Sequence, residues 1–302
     1  MRTTLQELLA SADGLPVIAD GGMGTMLFNS GLANGESPEL WNVNNPDKVA
    51  VIHRGYIEAG AQIVLTNTFG CNRYRLQLHK LEDRAAELNK AAAQIVVREA
   101  EAADHPVVVA GDIGPSGGIL LPLGELAYEN AVDAFEEQAR ALVEGGVDVL
   151  WVETMSDLNE VRAAVEGCRR AAPDFPVVAT MTFDTHGHTM MGVSPEKALE
   201  GLLEMDLVAL GGNCGNGTAE IEGVIRKMRA QNQDVVLVAK SNAGMPRLEG
   251  GRAVYDATPA NLAQYALNVR ELGANIIGAC CGSTPEHIRA MNVALRNSVP
   301  TA

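Results

Sequence analysis

The chain has 302 residues, with 38 acidic against 23 basic and a net charge of −15, a balance that argues against nucleic acid or an anionic membrane surface as partner, because both demand clustered positive charge. No apolar run reaches the roughly 18–20 residues that span a bilayer, and the opening MRTTLQELLASADG is not a signal peptide, so a cytoplasmic protein acting on small molecules is expected. Five cysteines, an odd number with two adjacent, suit a reducing compartment better than a disulfide framework.

A short helix is predicted over 3–12 and a first strand over 16–19, which ends in the polar, glycine-permitted turn Asp20-Gly21-Gly22. A loop over 29–45 carries Trp41, expected to be exposed, and a helix follows over 46–58. Further apolar runs of strand length lie at 61–65, 106–110, 147–152, 176–183, 207–210, 235–239 and 274–282. Each ends in polar or glycine-rich residues and is followed by a helical stretch. Helix starts are marked by Asp157, by Ser194-Pro195 and by Thr284-Pro285, where an N-cap side chain precedes the helix or a proline opens it. Eight such units fill residues 1–302 without a linker, which predicts a single-domain α/β protein, a (β/α)8 TIM barrel with its site at the C-terminal ends of the strands. Neither G-x-G-x-x-G nor a P-loop opens a helix, so nucleotide binding loses its usual support.

Three thiols fall at such strand ends: Cys214 in GGNCG, and the adjacent Cys280 and Cys281. Neighbouring cysteines do not readily bridge each other. Zn2+ on three thiolates would retain an open fourth position, the mark of a catalytic site. Spacing alone leaves open that all three are ordinary buried cysteines. Asp20, Thr66, Thr68, Glu153 and Asn242 lie at the same level, and a polar ring there is better explained by a ligand than by a core.

With ADGGMGTMLF from Ala19, EAGAQIVLTNTFG from Glu58, AGDIGP from Ala110, VETMSD from Val152, GGNCG from Gly211, NAG from Asn242 and GACCGSTPEHI from Gly278, the chain resembles the zinc-dependent homocysteine S-methyltransferases. That family includes the barrel module of cobalamin-dependent methionine synthase, the S-methylmethionine enzymes and betaine–homocysteine methyltransferase. LFNSGLANGESPELWNV from Leu27 and MTFDTHGHTMMGVSPE from Met181 look like the bacterial betaine-type enzymes.

The resemblance implies Zn2+ as cofactor on Cys214, Cys280 and Cys281, with Asn242 at or near the fourth position. It implies homocysteine as acceptor, its ammonium on Asp20 and Glu153, its carboxylate near Gly21 and Gly22, and hydroxyls from Thr66 and Thr68. For Glu153 the alternative is a buried ion pair with a helix lysine or arginine. A betaine donor needs aromatic faces for its trimethylammonium group. Trp41 is the first candidate, then Tyr74 and Tyr255, with Phe69 lining the pocket or packing beneath it. Trp151 is expected to fill the core, Cys71 and Cys168 to be no ligands, and His186 and His188 to be exposed. The implied reaction gives methionine and dimethylglycine. The alternatives are a sulfonium donor, S-methylmethionine or dimethylsulfoniopropionate, or a homocysteine-binding module served by a separate corrinoid methyl carrier. A homo-oligomer is compatible with this reading.

Overall fold

The computed structural model describes residues 1–249 and 252–298. Its centre is eight parallel strands: β1 (Val17–Ile18), β2 (Ile63–Leu65), β3 (Val108–Ile113), β4 (Val149–Met155), β5 (Val177–Met181), β6 (Ala209–Cys214), β7 (Leu237–Ser241) and β8 (Ile276–Ala279). Each pairs with its neighbours in sequence, and β8 returns to β1 through Val17–Ile276 and Ile18–Ile277. A bridge between Ala19 and Ile63 joins β1 to β2, where Asp20 N–H also donates to the Ile63 carbonyl at 3.0 Å. The ring is thus closed, with the helices outside it: the expected (β/α)8 barrel.

Two buried faces explain why the strand segments read as unbroken apolar runs. Val108 and Ala110 on β3, Val149 and Trp151 on β4, and Val238 on β7 fill the interior of the ring. Their outward neighbours, such as Val109, Leu150 and Ala239, pack against the helices. The inward positions recur every second residue, so the next ones upward are Asp112, Glu153 and Lys240. Strands β3, β4, β6 and β7 continue through these polar ends, two or more residues beyond the predicted 110, 152, 210 and 239. Backbone pairing persists there while the inward side chains change from apolar to charged, and a reading by hydrophobicity stops at that change.

The opening helix is Leu5–Ala10, shorter than predicted, and is held by a capping box between Thr4 and Glu7. Asp157 and Ser194 cap their helices as expected, accepting from the Asn159 and Lys197 N–H groups. The predicted loop over 29–45 instead holds the end of a helix Met23–Asn29, a 3-10 turn Pro38–Leu40 and a short helix Trp41–Asn44. Trp41 is therefore not exposed: 6% of its surface is accessible, and it belongs to the core. Two antiparallel strands, Arg247–Glu249 and Arg252–Val254, form an unpredicted hairpin between β7 and the next helix. No described helix is long and apolar enough to cross a membrane.

Candidate active site

A cavity of about 260 Å3 opens at the C-terminal ends of the strands. Asp20, Gly21 and Gly22 line it after β1, and Thr66, Thr68 and Phe69 after β2. Asp112 and Glu153 enter from β3 and β4, Lys240 from β7, and Cys214, Cys280 and Cys281 complete the floor.

The three sulfurs all lie within 4.8 Å of one another. Tetrahedral zinc with Zn–S bonds of about 2.3 Å sets sulfurs about 3.8 Å apart, so the set fits that ion with little adjustment. Local backbone brings them together. Cys214 adopts a left-handed conformation at φ 64°, followed by Gly215 at φ 71°, which turns the end of β6 inward. Cys280 N–H donates to the Ser241 carbonyl at 2.7 Å. Gly282, at φ 81°, lies so close under Tyr255 that a Cβ there would come within 2.1 Å of the ring. Asn242 ties the two cysteine loops: its Oδ1 accepts from Cys281 N–H at 3.0 Å and its Nδ2 donates to the Gly215 carbonyl at 2.6 Å. Both ends of this amide are thus engaged behind the sulfurs. Hydrogen bonds from Cys214 and Cys280 pull the Cys281 thiol down to about 3, whereas Cys214, hydrogen-bonded to the other two, is raised well above the usual thiol range.

The opposite wall is acidic and contains an unexpected cation. Lys240 Nζ donates to Asp20 Oδ1 at 3.1 Å and lies 3.7 Å from Glu153 Oε2, all three side chains being buried. Asp20 Oδ2 accepts from Leu65 N–H at 2.8 Å, so both oxygens of this acid have partners. Burial works against the charge on Lys240, but the attraction of Asp20 and Glu153 prevails and raises its pKa. Burial also pushes Glu153 up to about 7 against the pull of Lys240. Asp112 is raised well above the carboxylate range by burial and by its neighbour Glu153. Asp112 Oδ1 and Glu153 Oε2 are buried without a hydrogen-bond partner among the described residues.

Glu153 thus meets a lysine, as one expectation had it, but from a strand and not a helix. Neither Lys240 nor Asp112 was anticipated as a site residue. The signal was available in the two-residue alternation Val108, Ala110, Asp112 and Val238, Lys240.

Side chains around the wall fix its shape. The Thr66 and Thr68 hydroxyls lie 2.6 Å apart; Thr68 donates to the Asp112 carbonyl at 2.6 Å, and Asp112 N–H donates to Thr66 Oγ1 at 2.9 Å. Gly22 N–H is taken by Ser283 Oγ at 3.0 Å. A Cβ on Gly21 would meet Ser283 Oγ at 2.3 Å, and one on Gly22 the Cys280 carbonyl at 2.7 Å, so both glycines serve the contact with the β8 loop. Asn213 joins the two walls: its Oδ1 accepts from Thr154 N–H at 2.9 Å and Thr180 Oγ1 at 2.7 Å, and its Nδ2 donates to Thr154 Oγ1 at 2.7 Å.

Of the expected donor aromatics, Trp41 and Tyr74 do not line this cavity. Trp41 lies in the core with Lys48 Nζ 4.6 Å from its ring, so the cation its face attracts is already present. Tyr74 is on a short helix, Arg73–Leu76, and is not among the lining residues. Tyr255 packs half-buried against Gly282, with its hydroxyl against Cys281, and so stands beside the sulfur cluster. Phe69 does line the cavity, with Arg75, Leu78 and His79 beside it at the mouth. Trp151 is fully buried beneath, Cys71 and Cys168 are buried away from the sulfur cluster, and His186 and His188 are exposed, as expected.

The family model described as homocysteine S-methyltransferase matches residues 17–295. Methionine synthases of Mycobacterium leprae (strain TN) and Mycobacterium tuberculosis (strain ATCC 25618 / H37Rv) are 34% and 35% identical over 97% and 93% of this chain. The chain spans 25% of the length of each of these relatives. The metallated homocysteine methyltransferase MmuM of Escherichia coli superposes with a TM-score of 0.81 at 24% identity, over 96% of this chain and 99% of that one, a likeness that carries the fold. A family match over nearly the whole barrel, joined by relatives above 30% identity across it, establishes that the chain belongs to the homocysteine S-methyltransferase family.

Proposed function

We propose that this chain transfers a methyl group from a cationic donor to the sulfur of homocysteine, with Zn2+ held by Cys214, Cys280 and Cys281. The observation that carries this reading is the pairing, in one cavity, of three converging thiols with a wall of carboxylates. A soft-metal site answers the thiol of the substrate, and the acids answer its ammonium. Zinc on three thiolates supplies the chemistry that keeps a coordinated thiol deprotonated yet nucleophilic.

The chain's own groups do the remainder. Asp20, Asp112 and Glu153 form the wall that receives the ammonium, Thr66 and Thr68 lock β2 to β3 beneath it, and Asn242 holds the two cysteine loops in register. At the mouth, Phe69 offers a π face to a quaternary nitrogen, and Arg75 offers a guanidinium to a carboxylate. A donor bearing both groups is glycine betaine. The homocysteine sulfur attacks a methyl carbon, the C–N bond breaks, and its electron pair leaves on dimethylglycine. Free thiols of this kind suit a reducing compartment, and a cytoplasmic enzyme is the reading that fits them.

A second reading draws on the match to one quarter of the mycobacterial methionine synthases. In it, the methyl group arrives on a corrinoid carrier, and the barrel alone is silent with small donors. Zinc-loaded protein, homocysteine and a donor panel separate the two. Methionine formed with betaine supports the first reading. Turnover with S-methylmethionine or dimethylsulfoniopropionate alone redirects the donor, and turnover only with methylcobalamin supports the second.

A further inference from the structure

Tyr255 touches the sulfur cluster without lining the cavity, and a run of hydrogen bonds holds it there. It follows the hairpin strand Arg252–Val254, and its ring lies over Gly282, where a Cβ would come within 2.1 Å. The Cys281 carbonyl accepts from Ala243 N–H at 2.9 Å, and the Ala243 carbonyl accepts from Ala257 N–H at 3.0 Å. His287, from the same sequence motif as the cysteine pair, completes the run. Its Nε2 meets the Ala257 carbonyl at 2.9 Å, while its Nδ1 accepts from Thr284 N–H at 3.1 Å, so the chain returns to the loop of Cys281. Because Nδ1 is an acceptor, the ring proton sits on Nε2 and is donated to Ala257. The Tyr255 hydroxyl is thereby set against Cys281 Sγ in a hydrogen bond. A phenol donates and a thiolate accepts, so this bond runs from Tyr255 to the sulfur.

We propose that Tyr255 is a positioning residue that keeps methyl transfer off the protein's own Cys281, and that His287 latches it in place. This rests on the zinc and homocysteine reading above. With homocysteine bound, that reading puts four thiolates around one ion, three of them from the chain, and a methyl donor can be attacked by any of them. Were Cys281 to react, a lone pair on its Sγ would form the S–CH3 bond, the donor's bond to that methyl carbon would break, and the electron pair would leave on the demethylated donor. The product is a neutral thioether in place of a thiolate ligand, so one misdirected turnover would spoil the site. A hydrogen bond draws electron density from the sulfur that accepts it and so lowers its nucleophilicity. Tyr255 spends that bond on Cys281. The substrate sulfur enters through the cavity, which Tyr255 does not line, and keeps its full nucleophilicity.

The test treats the zinc-loaded chain, without homocysteine, with methyl iodide, and follows methylation of Cys214 and Cys281 by fragment-resolved mass spectrometry. Tyr255→Phe keeps the ring over Gly282 and removes only the hydroxyl. In this variant methylation of Cys281 relative to Cys214 is expected to rise at least about tenfold, the scale of one hydrogen bond to a charged acceptor. An unchanged ratio with zinc retained overturns the proposal. So does an equal acceleration at both cysteines, which is what a merely structural role in the loop would give. The cobalt-loaded chain supplies a readout independent of methylation. Loss of the hydrogen bond raises the energy of the sulfur lone pair, so the sulfur-to-metal charge-transfer band of Tyr255→Phe is expected at longer wavelength, and a band that stays in place overturns the proposal. His287→Ala is expected to move the methylation ratio in the same direction and to add nothing in the Tyr255→Phe background; additive effects overturn the latch. An unaltered chain that binds neither zinc nor cobalt overturns the metal reading itself and this inference with it, whereas bound metal with an unmoved band overturns the inference alone.

Discussion

The sulfur side and the acid side of the cavity are built by different means. On the sulfur side, the ends of β6 and β8, backbone does the positioning: a left-handed Cys214, glycines at positive φ, and Asn242 bonded to main-chain groups of both loops. On the acid side, contributed by β1, β3, β4 and β7, side chains hold one another, with a buried lysine between two carboxylates. The difference teaches that the first can be damaged locally, whereas the second responds as a coupled set in which removing one charge exposes the others.

Cys281→Ala is the largest expected break. Zinc retention and turnover should both be lost with the fold intact; stoichiometric zinc by elemental analysis would show that the sulfur side is not the metal site. Next is Lys240→Ala, which leaves Asp20 and Glu153 buried without their cation. Removing one partner of a buried pair costs about 3–5 kcal/mol, to be read as a lowered denaturant midpoint. A stability change below about 1 kcal/mol would mean that the acid side is solvated and not coupled as described.

Glu153→Gln sharpens the comparison by separating its halves. Zinc should stay bound while homocysteine affinity falls by about 2–3 kcal/mol in calorimetry, the lower part of the range for a truncated buried charge contact. Loss of zinc in this variant would join the two sides into one unit. The smallest effect is expected for Asn242→Ala, which removes the tie between the cysteine loops: about 1–3 kcal/mol of stability, with zinc bound less tightly. Unchanged stability and zinc affinity in this variant would show that the tie does not hold the loops.

The sulfur side was legible in the sequence because rare residues at strand ends, an adjacent cysteine pair and a GGNCG segment, fall among the motifs that carry the family resemblance, where spacing alone left buried cysteines open. The eight-unit barrel was legible for a related reason, since apolar runs alternate with capped helices along the whole chain. Asp112 and Lys240 escape a reading by hydrophobicity because each lies within two residues of the end of an apolar run and reads as the start of a loop. Their strands in fact continue, and only the period of two, counted inward from Val108 and Val238, carries them into the cavity. Trp41 misled for the opposite reason. Nothing in its local sequence marks burial, which comes from packing of the Trp41–Asn44 helix against the helices Pro46–Glu58 and Ala85–Ala102.

Asn213 lies between the two sides, and its position has a consequence for length. Its amide grips Thr154, the residue after Glu153, while its own backbone leads directly into Cys214. One side chain thereby holds the carboxylate end and the sulfur end of the cavity at a set separation, as the crossbar of a calliper holds its jaws. A thiol amino acid gripped at both ends is gauged by that gap. Cysteine, one methylene shorter than the homocysteine proposed to bind here, is expected to reach one jaw at a time and to forfeit the other, a selection by span and not by chemistry.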